Sequence, residues 1–169
     1  MAAPYFGLMG GVVDATKRFN LGGPDYTDSQ GRLWAGYTNG VAFDYRANGY
    51  VPVPPGIAST DDDALYWTVL YSSATMLLPV PAGVYSLTAH YCECFNDYAG
   101  GRSSGLLDRN HQVLIGLFDV YSAAGGRNIA YQMPAQFTAV ADAGGLTLYL
   151  PVSGNDNATI CAIEALKIA

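Results

Sequence analysis

Apolar and polar residues alternate most regularly from Val84 to Cys94. Tyr85, Leu87, Ala89 and Tyr91 fall on one face, and Val84, Ser86, Thr88 and His90 on the other. A period of two marks a strand with one buried and one wetter face. Similar runs predict strands over Lys17–Leu21, Ala64–Leu70, Thr75–Val80, Gln112–Phe118, Asn128–Met133, Gln136–Ala141, Leu146–Pro151 and Thr159–Ile168. Turn formers separate them, as in Gly22-Gly23-Pro24-Asp25, Pro81-Ala82-Gly83 and Ala143-Gly144-Gly145. No segment sustains a 3.6-residue period. Strands in this number, at regular turns, predict an all-β chain folded as a β-sandwich or jelly roll.

Two stretches stand outside the pattern. Residues 1–16, with Gly7, Gly10 and Gly11, read as an N-terminal arm or linker, leaving one domain over 17–169. From Tyr26 to about Asp63 the sequence predicts a long loop at one edge of the domain. Loops of that length in a compact domain are usually functional or disordered. Trp34, Tyr37, Phe43, Tyr45 and Tyr50 argue against disorder, because such side chains tend to be packed or bound.

Composition narrows the function classes. Eight Lys and Arg against fourteen Asp and Glu form no basic stripe, which a phosphate-binding surface needs, so nucleic acid is not an expected partner. No apolar run approaches the ~20 residues that cross a bilayer, so membrane insertion is not expected. Met1 to Gly11 lacks the basic and apolar regions of a secretory signal. Export would need a signal already removed or another route. Cys92, Cys94 and Cys161 read as buried free thiols; on one strand, Cys92 and Cys94 would lie too far apart for a relaxed disulfide.

At this point the residues resemble a known family. Phe19-Asn20-Leu21-Gly22-Gly23, running into Asp28-Ser29-Gln30-Gly31-Arg32-Leu33-Trp34, resembles the opening of malectin and malectin-like domains, where an N-x-GG strand leads into a D-x-x-G-x-x-W loop. Leu65-Tyr66-Trp67-Thr68-Val69-Leu70-Tyr71 is similar to that family's LYQTERY segment. Tyr85 to Phe95 is similar to its Y-x-L-x-L-x-F-A-E-x-Y/F strand. Phe118 to Gly126 resembles FDIYAEAGG, and Asn155 to Glu164 resembles the closing NP-x-I-x-AIE strand. The blocks occur in the family's order and cover roughly Lys17 to Ala169.

The resemblance implies a malectin-type β-sandwich whose edge loops bind sugar. Family members include a lectin of the endoplasmic reticulum for glucosylated N-glycans, plant receptor-kinase ectodomains and carbohydrate-binding modules of bacterial enzymes. By motif position Tyr71 takes the place of the aromatic that ends LYQTERY, Phe95 that of a binding tyrosine, and Asp156 that of the aspartate before the final strand. Tyr50 best fits a further tyrosine of the long loop, with Tyr45 second. Asn96 replaces an aromatic of the lectin and keeps only hydrogen bonding; Tyr98, two residues on, offers a substitute stacking face. Ser103-Ser104-Gly105 stand where the family has an apolar strand. Each assignment has a plainer rival: Tyr71 and Phe95 as packing residues, Asp156 as a turn former.

Catalysis lacks a starting point in this sequence. A glycoside hydrolase sets two carboxylates about 5 to 9.5 Å apart across the bond. Asp61, Asp62 and Asp63 are consecutive and diverge, while Asp108, Asp119 and Asp142 have turn-like neighbours. His90 and His111 belong to no H-x-x-x-H or G-x-S-x-G pattern. Glu93 reads as a hydrogen-bonded structural carboxylate, and Trp34 and Trp67 as packing residues. No cofactor is expected; Asp61–Asp63 could ligate a structural Ca²⁺, but the alternating oxygen ligands of a recognisable loop are missing.

The leading expectation is therefore a non-catalytic, extracellular or surface module that recognises oligo- or polysaccharide, glucose-containing by resemblance. The alternative is a structural or assembly protein, such as a virion decoration, fibre or extracellular filament component, that self-associates through its N-terminal arm.

Overall fold

The computed structural model describes residues 15–51, 56–72, 74–151 and 156–169. Most of the expected N-terminal arm, residues 1–14, lies outside them, and Thr16 already begins the first strand. In chain order the elements are β1 (Thr16–Leu21), β2 (Tyr26–Thr27), β3 (Leu33–Tyr37), β4 (Ala42–Asp44), α1 (Ala64–Trp67), β5 (Thr68–Tyr71), β6 (Thr75–Leu78) and β7 (Gly83–Tyr91). There follow β8 (Ser103–Asp108), β9 (Val113–Asp119), α2 (Val120–Ala124), β10 (Tyr131–Pro134), β11 (Ala139–Ala141), β12 (Leu146–Tyr149), β13 (Thr159–Ile160) and β14 (Ala162–Lys167).

The main sheet runs β10-β7-β14-β1-β3-β2, with β11 also paired to β7. A second sheet, β6-β12-β8-β9, and a small third one, β13-β5-β4, complete the sandwich. The pairing is antiparallel except between β1 and β3, which run parallel with Phe19 opposite Ala35 and Leu21 opposite Tyr37. The fold is the all-β sandwich that the alternation predicts.

Strand β7 shows how pattern becomes packing. Tyr85, Leu87, Ala89 and Tyr91 are buried in the core, and Ser86 on the opposite face is exposed. Around them pack Phe19, Leu21, Leu78, Leu106, Leu148 and Ile163. At about 25 cal/mol per Å² of apolar surface removed from water, such a core is the main force holding the sheets together. The wet face ends at His90, which is 2 % exposed. Its Nδ1 lies 3.0 Å from the Tyr66 hydroxyl, and Trp34 meets its ring edge-on at 5.1 Å. A second apolar cluster covers it, built from Trp34, Tyr45, Leu65, Tyr66 and the three cysteines.

Several expectations are corrected. The long loop before residue 63 contains β2, β3 and β4, each of two to five residues. Runs that short give alternation too few positions to register. The strand expected over Ala64–Leu70 begins as a single helical turn that buries Leu65 and Tyr66. The other short helix, α2, interrupts the Phe118–Gly126 block. Asp119 caps it by accepting from Ser122 N–H at 3.0 Å, and Gly125 ends it at φ +85°.

Ser103 to Asp108 is a strand after all, despite its small polar start. Ser104 is buried and its Oγ accepts the Thr159 N–H at 3.0 Å, satisfying a backbone group that an apolar residue would strand. The C-terminal strand is broken at Cys161, between β13 and β14. Cys92 and Cys94 lie beyond the end of β7, with their sulfurs 3.3 Å apart, closer than a common strand would allow; all three cysteines are free and buried.

Candidate functional site

The Gly22-Gly23 turn is the hinge from the main sheet to the site loops. Gly22 sits at φ +81°, and a β-carbon there would lie 2.3 Å from the Val69 carbonyl oxygen. Only glycine suits both constraints. Beyond it, Asp28 organises the next loop. Its carboxylate accepts from the Gln30 and Arg32 backbones, from Arg32 Nε at 2.6 Å and from Trp34 Nε1 at 2.9 Å. Trp34 thus packs rather than binds, while Trp67 lies half-buried beneath the guanidinium of Arg46, 3.9 Å from its ring centre. Asp62, of the acidic run, accepts from the Tyr26 hydroxyl and from Ser29.

Strand β4 pairs with β5, placing Phe43 opposite Val69. The chain then closes a small loop in which Tyr50 N–H donates to the Tyr45 carbonyl at 2.8 Å, so the two tyrosines stand at its mouth. Their rings meet at 6.3 Å, nearly perpendicular. After β7, the Glu93 carboxylate draws in the N–H groups of Phe95 and Asn96 at 2.8 and 2.9 Å, and this tight turn projects Phe95 outward. Phe95 is 45 % exposed and its ring lies 5.0 Å from that of Tyr50. Arg127 ties the two loops from behind: Nε donates to the Cys94 carbonyl at 2.9 Å and Nη2 to the Tyr50 carbonyl at 2.8 Å.

These elements enclose a cavity of about 180 Å³ lined by Phe43, Tyr45, Tyr50, Tyr71, Phe95, Arg102 and Asp156. Its volume suits a single small ring more than a drug-sized ligand, which takes roughly 300–1,000 Å³. Five aromatic rings form the walls and one ion pair the polar end. Arg102 Nη2 donates to Asp156 Oδ2 at 2.5 Å, and Nη1 to the Tyr45 hydroxyl at 2.6 Å. Glu93 Oε1 lies 3.5 Å from the same Nη1. Asn157 steadies the rim, donating from Nδ2 to the Tyr71 hydroxyl at 2.7 Å.

The electrostatics follow from this arrangement. Partial burial works to raise the Asp156 carboxyl, but the hydrogen bond and charge of Arg102, with the Asn157 N–H, hold it below the usual carboxylate range. Burial opposes the charge on Arg102, and the oxygens of Tyr45, Glu93 and Asp156 more than offset that, so the guanidinium stays charged. The Tyr45 phenol is pushed far up by burial and remains neutral.

Of the residues singled out from the sequence, Tyr45, Tyr50, Tyr71, Phe95 and Asp156 converge on this cavity. Tyr45 is 2 % exposed and presents little ring face. Asn96 is buried and does not line the cavity; its side chain donates to Glu93 at 3.4 Å and also hydrogen-bonds Asp156, so it supports the cavity's carboxylate from behind. Tyr98 is exposed and is not part of the wall. The sequence reading missed Arg102 and gave Phe43 no binding role. A lone arginine in Gly101-Arg102-Ser103 carried one faint signal: buried, it must find carboxylates.

The described residues hold no group of three or more His, Cys, Asp or Glu side chains placed to bind a metal ion. They also hold no helix long and apolar enough to cross a membrane.

No family profile and no curated protein sequence matches the chain. Solved structures do. The plant receptor-like kinase FER superposes with a TM-score of 0.70 at 14 % identity, covering 90 % of this chain and 49 % of its own. FER is also seen in complex with the plant peptide RALF23 and LLG2. The ANXUR1 extracellular domain from Arabidopsis thaliana gives 0.69 at 18 % identity, with 90 % and 48 % coverage. A calcium-binding mutant of Bacteroides uniformis beta-glucuronidase 2 gives 0.66 at 14 %, covering 91 % of this chain and 18 % of that one. The fold is thus that of the malectin-like extracellular domains of plant receptor kinases, and the chain spans about half the length of those receptor chains.

Proposed function

We propose that the chain is a carbohydrate-binding module whose ligand is a neutral sugar ring held between Tyr50, Tyr71 and Phe95, with Asp156 accepting from its hydroxyls. The carrying observation is the cavity itself: ring-sized, aromatic on its sides and ended by an ionised carboxylate. Sugar C–H faces stack on aromatic rings, and vicinal hydroxyls pair with carboxylates. Charge favours neutral sugars over acidic ones. The charged residues lining the cavity are Arg102 and Asp156, one of each sign and paired with each other. A uronate or sialate would bring its carboxylate beside Asp156, to a lining cation that is already paired.

The module is read as non-catalytic. Among the described residues Asp156 is the one carboxylate lining the cavity, whereas glycosidic cleavage uses two that face each other across the bond. The extracellular setting of the structural neighbours supports a surface location for this chain too.

The test is a glycan array probed with the parent and with a folded Phe95→Ala/Asp156→Asn variant. Retention of neutral glycans by the parent and not by the variant supports the reading. Equal retention by both, preference for acidic glycans, or an empty array for the parent counts against it.

A further inference from the structure

Tyr71 belongs to two depressions. On one side it walls the aromatic cavity; on the other it lines a shallower hollow of about 390 Å³ with Tyr37, Asn39, Val41, Thr75 and Leu77. That hollow continues past Tyr37, Asn39 and Leu77 into a further one of about 420 Å³. We propose that this groove is an extension of the sugar site, and that the natural ligand is a neutral oligosaccharide whose chain leaves the cavity over Tyr71 and lies along it. The inference rests on the carbohydrate reading above and specifies its ligand as a chain of several rings.

The groove is lined by both apolar side chains and residues that carry hydroxyl or amide groups. Val41 and Leu77 are 59 % and 50 % exposed and give the hollow two apolar surfaces. Asn39 and Thr75 line the same hollow. The Tyr37 hydroxyl accepts the Leu77 N–H at 2.8 Å and keeps its own proton to donate. The Tyr71 hydroxyl, which accepts from Asn157, is in the same condition. Among the described residues no Lys, Arg, Asp or Glu lines either hollow, which matches an uncharged ligand.

An extended peptide fits the groove less well. Strand addition needs free backbone donors and acceptors. On one side the Tyr71 N–H is spent on the Val41 carbonyl at 2.8 Å and the Ser72 N–H on the Ala158 carbonyl at 3.0 Å. On the other, β6 is an edge strand, but its Leu77 N–H is taken by the Tyr37 hydroxyl at 2.8 Å, which stands where an added strand would pair. The groove offers side chains, which suits stacked rings and hydroxyls.

The experiment is an NMR titration with neutral gluco-, manno- and galacto-oligosaccharides of one to six units, on the parent, Phe95→Ala and the surface variant Asn39→Ala/Leu77→Ala. The expected result is an affinity that rises about tenfold from one unit to three or four. That gain disappears in Asn39→Ala/Leu77→Ala while single-unit binding stays, and Phe95→Ala loses binding at every length. Affinity independent of length in the parent, or a length gain that survives Asn39→Ala/Leu77→Ala, overturns the groove and leaves the cavity reading standing. No binding at any length overturns both, and displacement of bound sugar by unrelated extended peptides at similar concentration also overturns the groove assignment.

Discussion

Arg102 and Asp156 meet at 2.5 Å across 54 residues of sequence, joining the residue just before β8 to one shortly before β13. The pair does two things at once. It fixes the carboxylate at the end of the aromatic cavity, and it neutralises a guanidinium whose side chain is 2 % exposed. Because Glu93, 1 % exposed, also leans on Arg102, removing the arginine leaves buried negative charge behind. Arg102→Met is therefore expected to destabilise the fold by about 3 kcal/mol. Adding Glu93→Gln should recover part of the loss. Urea unfolding of the two variants beside the parent checks this; a single variant as stable as the parent would refute it.

Acid should unfold the protein through specific carboxylates. For Asp28, burial pushes its carboxyl up, but the hydrogen bonds from Trp34, Arg32 and Gln30 outweigh this and set it below its ordinary value. Asp156 is depressed in the same sense. A carboxyl whose folded pKa is lowered stabilises the fold above its unfolded value, about 3.9, and that contribution is lost as pH falls through the folded value. Melting temperature should be level between about pH 8 and 5 and fall below about pH 4. In Asp28→Asn it should be lower at neutral pH and fall less steeply in acid.

Arg127 should matter to binding without touching the ligand. It holds the Phe95 turn to the Tyr50 loop through two backbone carbonyls. A lysine has the charge but not the forked donor geometry. Arg127→Lys should cost about 1–2 kcal/mol of stability. It should weaken sugar binding several-fold with the spectra of β7 and β14 unchanged, as titration calorimetry and amide NMR would report.

The thiols should be silent in the native protein. Cys92, Cys94 and Cys161 are buried. Cys92 is pushed up by its contact with Cys94 and by burial, and Cys161 by burial. Since the thiolate is the reactive form, a colorimetric disulfide reagent at pH 8 should modify none of them until denaturant is added. Rapid modification of any one under native conditions would contradict this.

Much of this molecule was legible in its residues, for reasons that differ by element. Strand β7 announces itself because nine residues, Gly83–Tyr91, give alternation room to show. Tyr71, Phe95 and Asp156 stand out by motif position and Tyr50, with Tyr45 second, by its spacing in the long loop, and the fold brings them to one cavity. What escaped has a common cause. The turn α1 spans Ala64–Trp67, less than two helical periods, and the parallel pairing of β1 with β3 depends on partners remote in sequence. Asn96 reads as a free amide until Glu93 is seen to hold it. Arg102 looks like a surface charge in a Gly-Ser stretch, and only the meeting of Tyr45, Glu93 and Asp156 around it gives it a place inside.

The central claim is that the aromatic cavity binds a neutral sugar, and the most direct measurement maps that binding onto residues. Protein labelled at tyrosine, phenylalanine and asparagine would be titrated with the best-retained neutral glycan from the array. The account predicts saturable shifts at Tyr50, Tyr71, Phe95 and Asn157, with Tyr98 and Tyr131 still. Saturation that leaves these four unmoved and perturbs another surface, or a spectrum unchanged at tens of millimolar sugar, would contradict it.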